Sequence, residues 1–369
     1  MPTEQDDPGP GYKDRPFQAT GMFIDRGGFP FPAGKPAQPA TKERLSIAFL
    51  INPISGGGIG KKVFNQLPEI MASFGFKPAE WKAELTEAGR LEEQTDSLLA
   101  SARKVIAVGG DGTIGFVLNR LRLTELHDTE IGLIPLGTGN DLGRSLGIFR
   151  IYDQRGLLAC VKRLLKAQCA LFDLWDVNGS LTMASYISLG MDAAVLHDFD
   201  VARKGGRIPK GSIFNRLYYV KAFLQRSTYR ISGPCSLNMI TAAGEEKVEL
   251  KGTLCCLIGN INSYAAGAKP FPWARFDDSL LEVVVFDKLW KFALMVACSR
   301  VLPRFARYMK RRVRVYQAKS VEITGSAGEF GQLDGEDITG FLKESDRLVV
   351  KPARQVQLLD LRSAFFSLF

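Results

Sequence analysis

Lys104-Val105-Ile106-Ala107-Val108-Gly109-Gly110-Asp111-Gly112-Thr113 decides how the chain is read, because an apolar run stops there on glycines that enclose one carboxylate. Val105 to Val108 is short and rich in β-branched residues, which suits a strand buried on both faces of a parallel sheet. Val117, Leu118 and Leu121 follow at helical spacing, so the order is strand, glycine turn, helix. The first backbone N–H groups of a helix lack intrahelical partners and carry the positive end of its dipole. Such a turn suits an anion, and a phosphate above all.

Gly110, Gly112 and Gly115 also fit the G-x-G-x-x-G pattern of dinucleotide-binding folds. Asp111 argues against that use, since its charge would face a pyrophosphate unless a divalent cation lay between them. The pattern also wants an acidic residue about 20 positions on, at the end of the next strand. Glu130 stands before the strand Ile131 to Leu136 instead, so a dehydrogenase is disfavoured.

Two more glycine loops follow apolar runs. Leu45 to Ile51 leads into Asn52-Pro53-Ile54-Ser55-Gly56-Gly57-Gly58-Ile59-Gly60-Lys61-Lys62, whose spacing is not that of a Walker motif. Its backbone N–H groups can still cradle phosphate, with Lys61 or Lys62 nearby. The helix after it carries Phe64, Leu67, Met71 and Phe74, and Pro68 within it predicts a kink or a late start. Lys77 to Leu85 contains a strand, and Thr86 is placed to cap the next helix. Ile131 to Leu136 then runs into Gly137-Thr138-Gly139-Asn140-Asp141, before a helix marked by Leu157, Leu158, Val161, Leu164 and Leu165. Three strand, loop, helix units predict a parallel α/β layer whose loops gather at one sheet edge.

From Asp173 the texture changes to hairpins. Asp173 to Val177, an Asn178-Gly179 turn and Leu181 to Leu189 open a β-rich region. It continues with Val248 to Ile258, Leu280 to Phe286, Val313 to Tyr316, Val321 to Thr324 and Leu348 to Val350. Phe214 to Gln225 and Leu289 to Val301 read as helices. The expected organisation is therefore an extension over 1–44, an α/β domain over 45–168, a β-rich domain over 169–355 and an apolar tail over 356–369. The extension is rich in Pro and Gly and reads as disordered. The tail carries Leu361, Phe365, Phe366, Leu368 and Phe369 at roughly helical spacing and is expected to pack on the first domain.

With 369 residues, 46% of them hydrophobic, the chain can fill two ordinary cores. Lys and Arg exceed Asp and Glu by 9, and residues 1–44 add nothing to that excess because six acids and six bases cancel there. This balance fits anionic lipid or phosphorylated ligands. A nucleic-acid role is disfavoured, as no basic and aromatic module accompanies the charge. Six cysteines without C-x-x-C pairing point to neither a zinc ribbon nor a disulfide framework. The acidic, proline-rich start is unlike a secretory signal, and no apolar stretch reaches the length of a membrane span. A cytoplasmic protein with peripheral membrane contact is expected, and nothing in the sequence specifies its oligomeric state. Only His127 and His197 are present, outside the glycine loops, so an Asp is the expected base.

Taken together, Gly109-Gly110-Asp111-Gly112-Thr113, the upstream Asn52-Pro53-x-Ser55-Gly56 and the downstream Pro135-Leu136-Gly137-Thr138-Gly139-Asn140-Asp141 resemble the catalytic domain of diacylglycerol kinases. Gly190-Met191-Asp192-Ala193 and the Phe214 to Tyr219 region resemble the accessory half of the eukaryotic enzymes. The resemblance implies an N-terminal α/β domain related to those of NAD kinases and phosphofructokinases, a C-terminal β-sandwich, and ATP with Mg2+ in the cleft between them. It implies phosphoryl transfer from ATP to diacylglycerol in a membrane. A sphingosine or ceramide kinase, or a kinase of a soluble acceptor like NAD, is the alternative of the same superfamily. A non-catalytic nucleotide-regulated protein is a further one.

Residue by residue, the resemblance gives Asn52, Ser55, Gly56, Gly109, Gly110, Asp111, Gly112, Thr113, Thr138, Gly139 and Asn140 to the nucleotide. It gives Asp111, Asp141 and Asp173 to the metal and its waters. Leu333-Asp334-Gly335-Glu336 matches the Asp-Gly-Glu motif, which implies Asp334 as base for the lipid hydroxyl, with Glu336 and Asp111 beside it in catalysis. Asp277-Asp278-Ser279 resembles a second magnesium segment, with Ser279 where the family has Gly. In this family zinc-binding diacylglycerol modules and EF-hands carry control, and none is expected ahead of this kinase. The basic run Arg304, Arg307, Lys310, Arg311, Arg312 and Arg314 suits an anionic lipid surface, and Lys269-Pro270-Phe271-Pro272-Trp273 could form an interfacial loop.

Overall fold

The computed structural model describes residues 44–126, 128–208, 212–301 and 308–362. The first half alternates strands and helices: β1 (Leu45–Ile51), α1 (Ser55–Ser73), β2 (Trp81–Leu85), α2 (Leu91–Ser101), β3 (Ala102–Gly109), α3 (Asp111–Arg122), β4 (Glu130–Pro135), α4 (Asp141–Ser145) and α5 (Ile148–Lys166). Strands β2, β1, β3 and β4 lie side by side and parallel, in that order. Their apolar runs are continuous because helices cover both faces: Ala48 to Ile51 and Val105 to Val108 are all buried in one core with Leu67, Leu98, Val117 and Leu164.

The second half is β-rich: β5 (Gln168–Val177), β6 (Leu181–Met183), β7 (Tyr186–Gly190), α6 (Met191–Lys204), α7 (Ser212–Gln225), β8 (Ser236–Thr241), β9 (Gly244–Glu249), β10 (Cys255–Gly259), β11 (Leu281–Phe286), α8 (Leu289–Val301), β12 (Arg314–Ala318), β13 (Ser320–Thr324), β14 (Gly331–Leu333), β15 (Glu336–Asp337), α9 (Thr339–Ser345) and β16 (Arg347–Asp360). Strands β12, β11, β10, β7, β14 and β15 form a second, antiparallel sheet. Successive side chains of a strand face opposite ways. Cys256, Ile258, Val283 and Val285 accordingly face strands β5, β8, β13 and β16, which continue the first sheet beyond β4, in a core shared with Trp175, Leu237, Ile323 and Val350. Cys255, Leu257, Val284 and Phe286 face outward and are covered by Met191 and Val195 of α6, Ala222 of α7, and Phe292 and Met295 of α8.

One strand ties the halves together. β16 pairs antiparallel with β5 along its length and with β13, and its far end pairs parallel with β4 through Gln357 and Leu358. Leu358, Leu359 and Leu361 enter the first core. The start of the expected tail is thus strand and not helix, because a β4 edge with unpaired N–H and C=O groups accepts it. Residues 363–369, and the extension up to residue 43, lie outside the described residues, as does His127.

Local departures from the sequence reading have local causes. Neither the kink nor the late start expected from Pro68 occurs, since α1 runs through it, and the non-helical residues of α1 are Gly56, Gly57 and Gly58, with φ of 62°, 71° and 97°. Helix α2 starts at Leu91, not after Thr86, since the Gln94 side chain reaches back to the Glu87 amide and settles the entry at 3.0 Å. The run Val248 to Ile258 is two strands, β9 and β10, divided by a turn at Gly252 (φ 78°). Phe271 is fully buried with its ring against Gly259, so the segment around it is core and not an interfacial loop. The six cysteines are all free. Of the basic run, residues 302–307 lie outside the described residues.

Candidate active site

The three glycine loops meet at the C-terminal ends of β1, β3 and β4. Asn52 donates its amide to the Val108 carbonyl at 2.9 Å, and Leu136 donates to that of Gly109 at 2.7 Å, so the strands hand the loops over in register. The loops then touch backbone to backbone. A Cβ on Gly110 would lie 3.3 Å from the Gly137 Cα, and one on Gly137 only 2.6 Å from the Gly110 Cα. Gly56 to Gly58 is a run of three left-handed residues, and Gly57 and Gly58 have open space beside them. Successive N–H groups in such a turn form an anion-binding concavity. Ser55 and Thr138 line this mouth, Thr138 in the open. Two of the polar residues shape loops: Asn52 Oδ1 accepts the Ile54 amide at 3.1 Å. Asn140, left-handed at φ 53°, closes its own loop by exchanging hydrogen bonds with Gly137.

Asp111 sits at the first turn of α3, facing the third loop, with Oδ2 2.9 Å from the Cβ position of Gly139. Its Oδ1 is buried and has no hydrogen-bond partner. Burial, and then the Asp141 charge, push its carboxyl up to about 7, and the amides of Asn140, Asp141 and Leu142 pull it back only in part. A buried carboxylate with a free oxygen and a like charge beside it is what a cation would relieve. Mg2+ commonly takes one or two carboxylates together with phosphate oxygens and waters. Asp111 next to a phosphate-cradling loop fits that pattern.

The expected metal trio does not assemble. Asp141 is largely engaged: Oδ1 accepts the Ser263 hydroxyl at 2.5 Å and the Gly267 amide at 3.1 Å, while Oδ2 accepts the Ala266 amide at 3.1 Å and keeps a lone pair. It clamps a loop of the second half onto the first. Asp173 serves another place, accepting the Ser279 amide at 2.7 Å and the Gln355 side chain at 2.8 Å. Strand β5 turns that carboxylate toward residues 276–280, away from the glycine loops. Among the described residues, no group of three or more His, Cys, Asp and Glu is placed to hold a metal, at residues 277 and 278 or elsewhere. Asp277 pairs with Arg275 at 3.1 Å. Replacing Asp141 with Ala should leave three donors unpaired and destabilise the fold by about 3 kcal/mol, which a shift in urea midpoint at constant slope would show.

The second half contributes from the β14–β15 turn. Asp334 (φ 49°) and Gly335 (φ 86°) make a tight turn that sets Asp334 beneath the bend joining β6 and β7. Its carboxylate accepts the Ala184, Ser185 and Tyr186 amides, each at 2.8 Å. That bend is why Leu181 to Leu189 is two strands and not one. Burial raises the Asp334 carboxyl to about 6 despite the three donors. Glu336 reaches across to the loop after β3, with Oε1 3.2 Å from the Cβ position of Gly112. Burial and the Asp200 charge raise it to about 7, with Arg203 and Lys204 opposing.

Tyr186 was not visible in the sequence, where an aromatic on a strand reads as core. Its hydroxyl takes the Ala265 amide and lies in the combined field of Asp141, Asp111 and Asp334, which together with burial holds its proton far more tightly than usual. It marks where the two halves converge. His197 pairs with Asp337 at 2.7 Å and packs on Phe330, a structural role.

A parallel α/β layer with three glycine loops at one edge, faced by carboxylates from a β-sandwich, is the class that this fold and site define. The model of the diacylglycerol kinase catalytic domain matches residues 46–176, and that of the diacylglycerol kinase accessory domain matches residues 182–337. The chain belongs to the diacylglycerol kinase family. It is similar to the eye-specific diacylglycerol kinase of Drosophila melanogaster, at 28% identity over 66% of this chain and 18% of that protein. It is similar also to diacylglycerol kinase theta of Mus musculus, at 27% identity over 76% of this chain and 32% of that protein. The chain thus spans between about a fifth and a third of these relatives. A crystal structure of a diacylglycerol kinase from Bacillus anthracis shares the fold, with a TM-score of 0.62 at 18% identity over 88% of this chain and 99% of that one.

Proposed function

We propose that the protein transfers the γ-phosphate of ATP to the free hydroxyl of diacylglycerol, giving phosphatidic acid. The observation that carries this reading is the meeting of Asp111, with its free Oδ1, and the Asp334 and Glu336 turn at one mouth of glycine loops. Backbone N–H groups of Gly56 and Gly57, and of Asp111 and Gly112 at the start of α3, cradle the phosphates, with Ser55, Thr113 and Thr138 around them. Mg2+, held by Asp111 and by phosphate oxygens, would neutralise charge on the transferring group.

Asp334 is the proton acceptor in this reading. Three amides fix its orientation, Oδ2 accepts only the Ala184 amide among them and keeps a lone pair, and a carboxyl near 6 is ionised at neutral pH yet still basic. Glu336 stands over Gly112 and steers the acceptor hydroxyl toward the phosphate. The acceptor is lipid, so the protein works at a membrane surface as a peripheral protein, and the described residues include no helix long and apolar enough to cross one.

The test is ATP with Mg2+ and mixed micelles of diacylglycerol, ceramide, sphingosine or monoacylglycerol, with NAD as a soluble acceptor, following which gains labelled phosphate. Diacylglycerol is expected to be the preferred acceptor. Product from ceramide, sphingosine or NAD alone would replace the substrate assignment.

A further inference from the structure

Helix α7 is apolar on two sides. Ala222 and Phe223 face the second sheet, and Phe223 stacks on Phe292 of α8 with ring centroids 6.4 Å apart. Phe214, Leu217, Val220 and Leu224 recur at intervals of three and four on the opposite side, with Leu217 61% and Leu224 64% exposed. Helix α8 repeats the arrangement: Phe292 and Met295 face inward, while Trp290, 50% exposed, and Leu294 face out. Both helices cover the same face of the same sheet, so both outward stripes belong to one surface of the molecule. A helix with apolar side chains all round is unusual at a surface wetted only by water.

The charge around this surface is mainly positive, Asp287 before α8 being paired with Lys291 at 2.9 Å. Neither helix contains an Asp or a Glu. Lys221 lies on α7 over the Tyr218 ring, Lys288 is exposed just before α8, and exposed Arg312 donates to the Tyr308 hydroxyl at 2.6 Å. Met309, beside that tyrosine, is buried in the same core as the inner sides of the two helices, which puts Tyr308 and Arg312 at the rim of the surface. Apolar stripes with Trp and Tyr, bordered by cations, are the composition of a helix face that lies in a bilayer interface.

The surface adjoins the active site. Tyr219 of α7 stacks on Phe199 of α6 at 4.2 Å, and its hydroxyl feels the Asp200 and Glu336 carboxylates. Glu336 is the group that stands over Gly112.

We infer that the outward stripes of α7 and α8 are the seat of the protein on an anionic phospholipid bilayer, and that this seat sets the headgroup level beside Glu336. The inference rests on the reading that the acceptor is a membrane lipid. A diacylglycerol hydroxyl lies at the polar boundary, so a helix lying in that boundary delivers it to the site without extracting the acyl chains from the membrane. Charge at the rim selects vesicles that contain anionic lipid.

The test uses the full chain and the triple variant L217E/V220E/L224E, sedimented with phosphatidylcholine vesicles with and without phosphatidylserine. The wild type should bind phosphatidylserine vesicles, and the variant should bind them about tenfold less or weaker still. Phosphorylation of long-chain diacylglycerol in those vesicles should fall in parallel, while that of a dispersed short-chain diacylglycerol stays unchanged. Should the variant fail to fold, quenching by brominated lipid decides for the unaltered surface, read as the difference between wild type and Trp290→Phe. Quenching of Trp290 supports the inference and its absence overturns it. Vesicle binding unchanged in a folded variant would overturn it, as would a wild-type dimer that the variant converts to monomer with vesicle binding intact. A wild type that phosphorylates no lipid in any form removes the functional reading, and the vesicle result then decides the surface by itself.

Discussion

Asp111→Asn is expected to lower turnover about 10³-fold and, at pH 8, to raise the melting temperature by roughly 2–5 °C. Both effects come from one atom set. The carboxylate is buried beside Asp141, its Oδ1 has no partner, and its proton affinity is raised to about 7. Ionised at pH 8, it weakens the fold, and an amide removes that weakness while keeping an oxygen for the backbone donors of residues 140–142. The same substitution takes away the charge that the phosphate-bound cation needs. Asp334 and Glu336 are raised as well, to about 6 and about 7. The folded chain therefore binds more protons than the unfolded chain once pH exceeds the ordinary carboxylate range. The stability from these three groups is complete below about pH 4 and is lost as pH rises through 6 and 7. Differential scanning calorimetry from pH 5 to 8 should show that slope in the wild type and a shallower one in the variant. A variant with undiminished turnover, or one that melts lower at pH 8, would contradict the role given to Asp111.

The second large effect is Asp334→Asn, for which turnover should fall by about 10² to 10⁴ with nucleotide affinity nearly unchanged. The amide cannot accept a proton from the lipid hydroxyl. One of its two ends also becomes a donor facing the Ala184 amide or the Ser185 and Tyr186 amides, so some loss of stability accompanies the kinetic effect. Glu336→Gln separates the roles. It has no such amide cluster to disturb, and it should cost less in turnover, raise KM for the lipid and, since its carboxyl is raised to about 7, raise the melting temperature at pH 8 as Asp111→Asn does. Turnover abolished by Glu336→Gln but preserved in Asp334→Asn would exchange the two assignments.

The three loops were legible because each ends a run of buried apolar residues and each needs glycine for backbone reasons that a one-dimensional pattern preserves. Gly137 tolerates no side chain where its loop meets Gly110, and Gly56 to Gly58 adopt left-handed conformations. The helices Phe214 to Gln225 and Leu289 to Val301 were legible from composition, but which of their sides faced inward was not, since both sides are apolar. What the sequence hid was carboxylate allegiance. Asp141 and Ser263 stand 122 positions apart, and Asp334 and Ala184 stand 150 apart. No local spacing says that one aspartate is spent on a loop, another on a bend, and that Asp111 keeps an oxygen free. Asp173 looked like its neighbours in motif terms, and only the course of β5 showed its partner to be Ser279. Tyr186 was hidden for the same reason, because its hydroxyl matters through residues that arrive from three other elements.

The strand shared by both halves has a consequence for how the molecule comes to exist. On a ribosome, β4 is made more than two hundred residues before Gln357 and Leu358, its neighbours in the sheet. Throughout that interval the nascent parallel layer carries a bare flank, able to template pairing with other chains, and a segment this distant is slow to close it. Closure of the parallel layer thus waits on β16, a strand whose other partners belong to the second half.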